Sequence, residues 1–564
     1  MEPSPPPGSS PRKLVVTLDG EAIGNEPSLV AGGAVIVCRD ASGRIHAAPN
    51  RCRHQGGRFV RGKSCELVCP HHGWKLDGST MTYTNPRGDL RQDELPVEID
   101  GAGRVAVYDV TRSRPWEEAR VMRRPLQEGE FTLQFYAHAC IELVAAGYRL
   151  FTDPWLIGPA FSRGWWLSQR PPDDWPERLA AADGIFISHN HSDHLNRHTL
   201  AVVAKRRRDV PIYIPAFDSP AMATALAGLG FTDLRVVPFD RWETLRDDFR
   251  FMILPDATGR DDSGVLVEYA GHRVLDSVDA QNLRGGEIPT GIDVLLSSFA
   301  GGASGFPVCW SELYDEAKIL DMVTKSRRRH ALGAATMARD AAARMFVPFA
   351  GYFYEAHPAD ADIRRRNVKN SPEEMRELVR KLSPSTAVWI PDPGGVLDIG
   401  SLRVLKEGHA TPPSPDVDAF TALIASDLYF APLASTDGIT QYFAWAGFRA
   451  DLVLHVVETD ETFATPLREF LYDFSMGALV EQRPTTAHRY LRMRVRADVF
   501  RHVLRNGQPW EEISIGFQAR FYREPDAYNF DFWDHFQNHL PVTPPVWRPK
   551  SVRPAAIEPS DRVA

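Results

Sequence analysis

Two pairs of potential metal ligands lie near the amino end of the 564-residue chain. Cys52 and His54 form a C-x-H pair, and Cys69 and His72 form a C-x-x-H pair further along. Two thiolates and two imidazoles bind either zinc or a [2Fe–2S] cluster in which one iron carries both cysteines and the other both histidines. Neighbouring glycines and β-patterned flanks favour the cluster, because glycine lets backbone amides approach the cluster sulfurs.

A second group of ligands follows an apolar strand pattern at residues 185–188. His189, His191, Asp193 and His194 form the pattern H-x-H-x-D-H. Strand alternation places the first two histidines on one side, and the following turn brings in the aspartate and the last histidine. Such donors bind one or two metal ions, so the sequence predicts a second metal site.

The elements that must position these ligands follow from local patterns. Alternating apolar residues predict hairpins at 144–153 and 264–275 and buried strands at 184–188 and 211–215. Ser371, followed by Pro and Glu, predicts the start of a helix with one apolar face. The domain division that we predict is a flexible tail at 1–11, an all-β domain at 12–110, a linker at 111–129, a domain of alternating strands and helices at 130–410, an α+β domain at 411–545 and a tail at 546–564.

Composition limits the classes of function. The net charge is −8, and 43% of the residues are hydrophobic and 24% charged, as in ordinary soluble proteins. The basic run Lys205–Arg208 is interpreted as a solvated helix end, so nucleic acid is not an expected partner. The apolar run Leu29–Cys38 is short of the ~18 residues that a membrane helix needs. Six cysteines and a first segment without a signal-peptide core favour a cytoplasmic location.

The segment Cys69-Pro-His-His-Gly-Trp-Lys-Leu-Asp77 resembles the Rieske family. Rieske domains of respiratory complexes join their two ligand loops by a disulfide, but the matching positions here hold Gly57 and His71. The resemblance is therefore to the ferredoxin and oxygenase branch, which passes single electrons. It implies that His72 is the ligand and that His71 is a loop or electron-exit residue.

The H-x-H-x-D-H motif resembles the metallo-β-lactamase fold, and the segment from His138 to Trp155 looks like the opening hairpin of that fold. This resemblance implies an αββα domain with Asp279, rather than Asp276, as a bridging carboxylate. It also implies that His357 is the last ligand.

One departure from that fold concerns the stretch 254–262, which lacks the usual histidine. Asp256, Asp261 or water would then replace the missing imidazole. His272, at a hairpin tip, is expected to face solvent. Asp193, His194 and His357 form a two-His-one-carboxylate set, the ligand pattern of non-haem Fe(II) oxygenases, so we expect iron rather than zinc in at least this part of the site.

A one-electron cluster beside a second metal indicates that electrons reach that metal and reduce O₂ there. The order of the two domains resembles the CMP-N-acetylneuraminate hydroxylase family. The resemblance implies hydroxylation of the N-acetyl group of CMP-N-acetylneuraminate to a glycolyl group. It also implies electrons from NAD(P)H through a reductase and a ferredoxin or b-type cytochrome. The non-metal strings that carry it are 153–166, 299–307, 348–352, 442–448, 515–518 and 540–545.

The substrate contacts are open between two interpretations. Arg163, Trp165 and Trp166 could hold a phosphate and stack on a base or sugar, and the glycine-rich turn with Ser304 could bind an anion. The alternatives are an aromatic core and a tight turn. Other functions also stay open: an oxygenase acting on another amino-sugar or nucleotide-linked metabolite, a zinc hydrolase gated by the cluster, an O₂ or NO reductase, and a sensor. Residues 411–545 carry no readable motif, and the oligomeric state is not determined.

Overall fold

The computed structural model describes residues 12–53, 56–70, 73–85, 90–110, 114–258, 260–483 and 489–543. Both predicted tails lie outside the described residues, as do His54, His71 and His72. Within the described ranges, no helix has both the length and the apolar character that crossing a membrane requires.

The amino-terminal domain is built from short strands in three small sheets, with orders β1-β10-β9, β2-β3-β4 and β5-β6-β7-β8. Cys52 follows β4 and Cys69 follows β6, and both cysteines belong to a small apolar cluster with Phe59, Leu67 and Tyr83. The strands are β1 (Arg12–Asp19), β2 (Ser28–Val30), β3 (Val35–Arg39), β4 (Ile45–Pro49), β5 (Val60–Arg61), β6 (Glu66–Val68), β7 (Lys75–Asp77), β8 (Thr82–Asn85), β9 (Val97–Ile99) and β10 (Arg104–Val110).

The described part of the predicted linker packs closely on the next domain. It contains the short helix α1 (Pro115–Glu118), whose Trp116 is buried. Arg273 Nη2 donates a hydrogen bond to the Trp116 carbonyl oxygen at 2.6 Å. The same segment covers His272, which is only 3% exposed. The imidazole nitrogens of His272 lie 3.0 Å from Arg123 Nη2 and from the Arg124 carbonyl oxygen, so the prediction that His272 faces solvent was wrong.

The central domain has two packed sheets with helices outside them, the αββα arrangement that was predicted. The sheet orders are β17-β16-β15-β13-β12-β11-β26-β27 and β18-β19-β20-β21-β22-β23-β25, with β14 and β24 forming a separate pair. The strands are β11 (Phe131–Ala137), β12 (Cys140–Ala145), β13 (Tyr148–Thr152), β14 (Trp166–Leu167), β15 (Gly184–Phe186), β16 (Ile212–Pro215), β17 (Leu234–Val237), β18 (Trp242–Arg246), β19 (Phe249–Pro255), β20 (Ser263–Tyr269), β21 (His272–Asp276), β22 (Val294–Ser298), β23 (Met345–Phe349), β24 (Phe353–Tyr354), β25 (Ala387–Val388), β26 (Val396–Asp398) and β27 (Arg403–Lys406).

Strand alternation explains why both faces of the first sheet are covered. Ile185 and Ile212 point to the core shared with the outer helices, whereas Phe186 and Tyr213 point to the core between the two sheets. The helices are α2 (Trp175–Ala180), α3 (Arg197–Arg206), α4 (Ala221–Leu229), α5 (Glu316–Asp340), α6 (Ala361–Arg366) and α7 (Pro372–Leu382).

The helix predicted at Ser371 is α7, and its first turn explains why it begins there. Ser371 Oγ accepts a hydrogen bond from the Glu374 amide at 3.1 Å, and Glu374 Oε2 accepts one from the Ser371 amide at 2.8 Å. This reciprocal pair is a capping box. Lys205 and Arg206 end α3 in exposed positions, as predicted for the basic run.

The carboxy-terminal domain is α+β, as predicted, with the sheet order β30-β29-β28-β31-β32. It shares one continuous apolar core with the central domain, in which Trp310 stacks on Phe521 at a centroid distance of 5.2 Å. Its elements are α8 (Val417–Ala425), α9 (Ala431–Ala434), α10 (Thr436–Ala446), β28 (Leu452–Thr459), β29 (Pro466–Asp473), β30 (Ala478–Val480), β31 (Arg489–Arg496), α11 (Ala497–Asn506), α12 (Glu511–Ser514), β32 (Ala519–Glu524) and α13 (Phe530–Asn538).

Candidate metal centre and its connections

The H-x-H-x-D-H residues follow the carboxyl end of β15, an internal strand of the first sheet, and they meet the loop after β21 that carries Asp279. Ligand atoms of His189, His194 and Asp279 lie within 4.8 Å of one another. A second such group combines His138, Asp193 and the same His194. Each group is a two-His-one-carboxylate set, the pattern expected of non-haem iron.

Unsatisfied atoms indicate that these groups fit a cation. Asp193 Oδ1 and His194 Nε2 are buried without a hydrogen-bond partner among the described residues. Buried polar atoms normally have a partner, and a bound ion would supply it. His194 Nε2 lies 3.3 Å from Asp193 Oδ2 and 3.6 Å from Asp279 Oδ2. Because both groups contain His194, they form one connected cluster of potential ligands.

Asp153 holds the central histidine in place. Its Oδ2 lies 3.0 Å from His194 Nδ1, and its carboxylate also accepts hydrogen bonds from the amide and the hydroxyl of Ser188, both at 2.7 Å. This partner directs Nε2 toward the cation position. Asp153 has φ +37° and His138 has φ +46°, values that are strained for residues other than glycine. Strained residues thus flank both ends of the β12–β13 hairpin beside the site.

The electrostatics of the site suit a metal. Burial lowers the pKa of His189 well below its ordinary value, and the neighbouring His194 and His191 lower it further. His189 is therefore neutral and keeps a lone pair for a cation. Burial raises the pKa of Asp262 well above its ordinary value, and the carboxylates of Asp256 and Asp279 raise it further. A cation among these acids would relieve their repulsion.

His191 connects the centre to the carboxy-terminal domain. Its Nδ1 lies 2.7 Å from His189 Nε2, while its Nε2 faces the carboxylate of Glu511 in α12. Glu511 was not among the predicted site residues, because it lies in a region without a readable motif. His138 was not predicted as a member of the centre either, although the hairpin that it opens was.

His357 lies in neither ligand group. Its Nε2 is 3.1 Å from Glu461 Oε1, and its Nδ1 accepts a hydrogen bond from the Ala359 amide. Of the acids considered as a replacement for the missing imidazole, Asp256 instead accepts hydrogen bonds from the amides of Thr258 and Asn282.

The acid nearest the imidazole of His189 is Asp262, whose Oδ1 lies 3.6 Å from His189 Nδ1. Asp261 lines the adjacent cavity, where burial and the nearby Asp534 raise its pKa to about 6. The sequence signal for Asp262 was its place directly before β20, at the same strand end at which a ligand was expected.

Three of the four residues considered for substrate contact, Arg163, Trp165 and Trp166, are buried. Arg163 is fully buried, and its Nη2 lies 2.6 Å from Glu461 Oε2 and 2.9 Å from Asp498 Oδ2. Trp165 stacks on Phe353 at 3.6 Å. The stacking of Trp165 matches the alternative interpretation, an aromatic core.

Trp166 is also buried, and its Nε1 donates to the Arg163 carbonyl oxygen at 2.9 Å. Ser304 is exposed, and its Oγ accepts a hydrogen bond from the Phe306 amide at 3.1 Å. That bond closes a tight turn, which was the structural alternative for this glycine-rich segment.

A narrow cavity opens beside the centre. The central and carboxy-terminal domains both line it, through His189, His191, Arg260, Asp262, Glu511 and Phe530. A small molecule in this cavity would therefore lie against the candidate ligands.

Comparisons with known proteins match two parts of the chain to known domain families. A model of the Rieske [2Fe-2S] domain matches residues 17–92, and a model of the beta-lactamase superfamily domain matches residues 148–296. Cytidine monophosphate-N-acetylneuraminic acid hydroxylase of Mus musculus is 39% identical over 530 residues, which cover 89% of this chain and 91% of that protein. The protein of the same name from Asterias rubens is 39% identical, covering 89% and 80%. The chain belongs to this hydroxylase family.

Family membership confirms the predicted combination of a Rieske domain, with its [2Fe–2S] cluster, and a lactamase-fold domain. Solved structures that resemble part of the chain include Igni18, a metallo hydrolase from Ignicoccus hospitalis, at 14% identity and TM-score 0.33, covering 47% of this chain and 97% of that one. CmlA, a diiron beta-hydroxylase from Streptomyces venezuelae, is 18% identical at TM-score 0.33, covering 47% and 54%.

Proposed function

We propose that the protein is an O₂-dependent monooxygenase that hydroxylates the N-acetyl methyl group of CMP-N-acetylneuraminate, giving CMP-N-glycolylneuraminate. The observation that carries this proposal is the 39% identity to hydroxylases of that name across about nine tenths of both chains. Both metal motifs occur in the same order that the family resemblance implies. The reaction consumes one O₂, two electrons and two protons, and releases water with the hydroxylated product.

The ligand assignments are part of the proposal. Cys52, His54, Cys69 and His72 would hold the cluster, and His189, His194, Asp193 and Asp279 would hold a non-haem iron. When bound, these groups would supply single electrons and O₂ reduction. His191 lies at the edge of this set, and His357 would join it only if its contact with Glu461 were released.

The chain's own residues would prepare the cavity for substrate. Asp153 orients His194, and neutral His189 presents a lone pair. The His191–Glu511 pair can hold a proton at the cavity wall. Arg260 is a cation at the same cavity and would attract the phosphate or carboxylate of the sugar nucleotide. Phe530 supplies an apolar wall that keeps water from the acetyl methyl group.

The supply of electrons and the location are further parts of the proposal. NAD(P)H would reduce a separate reductase, which would pass electrons through a ferredoxin or b-type cytochrome to the amino-terminal domain. CMP-N-acetylneuraminate and such donor proteins are expected to meet the enzyme in the cytoplasm.

Anaerobic reconstitution with iron, followed by exposure to ¹⁸O₂, a reductant and CMP-N-acetylneuraminate, tests the function. We expect a product that carries one ¹⁸O atom, and no labelled product in a parallel reaction with ¹⁶O₂ in H₂¹⁸O. Substrate cleavage that proceeds without O₂ and reductant would instead identify a hydrolase gated by the cluster. Reductant consumption that is equally fast without the sugar nucleotide would indicate an O₂ reductase.

Metal analysis of protein purified without added metal tests the assignment of iron. We expect more than two irons per chain. Stoichiometric zinc together with only two irons would contradict iron in the second site.

A further inference from the structure

One buried amide connects the loop of a cluster ligand to the loop of the metal centre. Asn282 is 2% exposed. Its Oδ1 accepts a hydrogen bond from Arg51 Nη2 at 3.1 Å, and its Nδ2 donates one to the Arg53 carbonyl oxygen at 3.2 Å. Arg51 and Arg53 are the two chain neighbours of Cys52. Both polar atoms of the Asn282 side chain therefore bind residues that flank a predicted cluster ligand.

The backbone of Asn282 belongs to the other site. Its amide donates a hydrogen bond to Asp256 Oδ1 at 3.0 Å, so it is tied to the acids beside the centre. Asp279 precedes it by three residues in the same loop, with Oδ2 at 3.6 Å from His194 Nε2. A short stretch of main chain and one hydrogen bond thus separate Arg53 from the candidate ligand Asp279.

The second cluster loop reaches the same segment by a different route. Arg329 in α5 donates a hydrogen bond to the carbonyl oxygen of Pro70, the residue after Cys69, at 3.1 Å. The next residue, His330, contacts the side-chain amide of Gln281. The loops of both cysteines therefore converge on residues 279–282.

The Arg51 side chain also lies against the main chain of the central domain. Its Nη1 would be 1.8 Å from a Cβ atom placed at Gly286, so the guanidinium lies directly beside this glycine.

We propose that Asn282 is the positioning residue that couples the two redox sites of this chain, and that its hydrogen bond to the Arg53 carbonyl lies on the path of electron transfer. The inference rests on the proposed function, because an oxygenase requires this transfer whereas a metallohydrolase does not. In each transfer the cluster is oxidised by one electron and the second metal is reduced by one. An external one-electron donor protein then restores the electron to the cluster.

The test uses the full-length chain, reconstituted with cluster and iron, and the variant Asn282→Leu, which removes both side-chain hydrogen bonds at similar volume. Asn370→Leu is the matched control. Asn370 is also buried and donates to two backbone carbonyls, those of Phe299 and Arg327 at 2.9 and 2.8 Å, but within the central domain. Chemically reduced protein is mixed with O₂ and CMP-N-acetylneuraminate, and cluster reoxidation is followed by absorbance in a single turnover.

We expect reoxidation of Asn282→Leu to be roughly 10- to 100-fold slower than that of the unmodified protein, because a displacement of about 1 Å has effects of that size. Its iron content and cluster midpoint potential should be unchanged, and Asn370→Leu should keep the normal rate. A second readout needs no turnover: the relaxation enhancement of the reduced cluster's EPR signal by high-spin Fe(II) in the second site should weaken in Asn282→Leu.

An Asn282→Leu protein that keeps both the normal reoxidation rate and the normal relaxation enhancement would overturn the inference. If this variant does not fold, Arg51→Gln removes the guanidinium contact alone and should show the same changes in smaller degree. An unmodified protein with strong relaxation enhancement but no labelled product would contradict the proposed function and leave the coupling supported.

Discussion

The two candidate metal sites of this protein lie in domains whose apolar cores differ greatly in size. The amino-terminal domain has sheets of three and four strands and two separate small apolar clusters, and Cys52 and Cys69 lie inside one of those clusters. The central domain has sheets of eight and seven strands around a large continuous core. Most of its candidate ligands lie on loops that follow internal strands of these sheets. The two cysteines of the first metal group therefore lie in a domain's core, whereas the second group is attached to a scaffold that is already complete.

This difference predicts that the metal has a structural role in the amino-terminal domain and a chemical role in the central domain. Small domains bury too little apolar surface to be very stable on their own, and a metal often supplies the rest. A large αββα core does not need that contribution. Loss of metal should thus unfold the first region and only inactivate the second.

The largest expected effect is that of Cys52→Ser. Without this thiolate the cluster should not assemble, and the amino-terminal domain should lose its resistance to proteases because the metal's contribution to folding, several kcal/mol or more, is lost. Limited proteolysis with mass spectrometry should show cleavage within residues 12–110 and an intact remainder. A domain that stays protease-resistant without iron would contradict the comparison.

Asp193→Asn should have the opposite effect: a loss of activity with little loss of stability. It removes a carboxylate from the centre at constant volume, so we expect hydroxylation to fall by more than about 100-fold, beyond the loss typical of an outer contact. The free energy of unfolding should change by at most about 2 kcal/mol, the scale of one altered buried hydrogen bond. Product assays and denaturant titration measure the two effects, and unfolding of the central domain would show that its metal is structural after all.

A smaller effect is expected at His138, whose Nε2 lies 3.2 Å from Asp193 Oδ2. His138→Gln should weaken iron binding at the second site by roughly 10- to 100-fold, because His138 belongs to a candidate ligand group and also holds the carboxylate of Asp193. His272→Gln is the matched control, since His272 is equally buried and hydrogen-bonded but lies under the linker segment. Competition with a chelator measures affinity, and equal losses in both variants would mean that His138 acts only through stability.

Local structure was readable from the sequence wherever neighbouring residues decide it. The α7 capping box depends on Ser371 and Glu374 alone, and the buried strand before His189 depends on its own apolar run. The burial of His272 could not be predicted from the sequence, because the residues that cover it precede it by about 150 positions. The hairpin itself was predicted correctly at 264–275 and occupies β20 and β21.

The sequence by itself determined which potential ligands lie together in one loop, namely those of C-x-H, C-x-x-H and H-x-H-x-D-H, because short spacing keeps them close. Only the tertiary structure decided which distant donors join them. Glu511 reaches His191 across 320 positions, Asp262 takes the place beside His189, and His357 turns to Glu461. The physical reason is that such contacts depend on how whole domains pack, which local spacing does not encode.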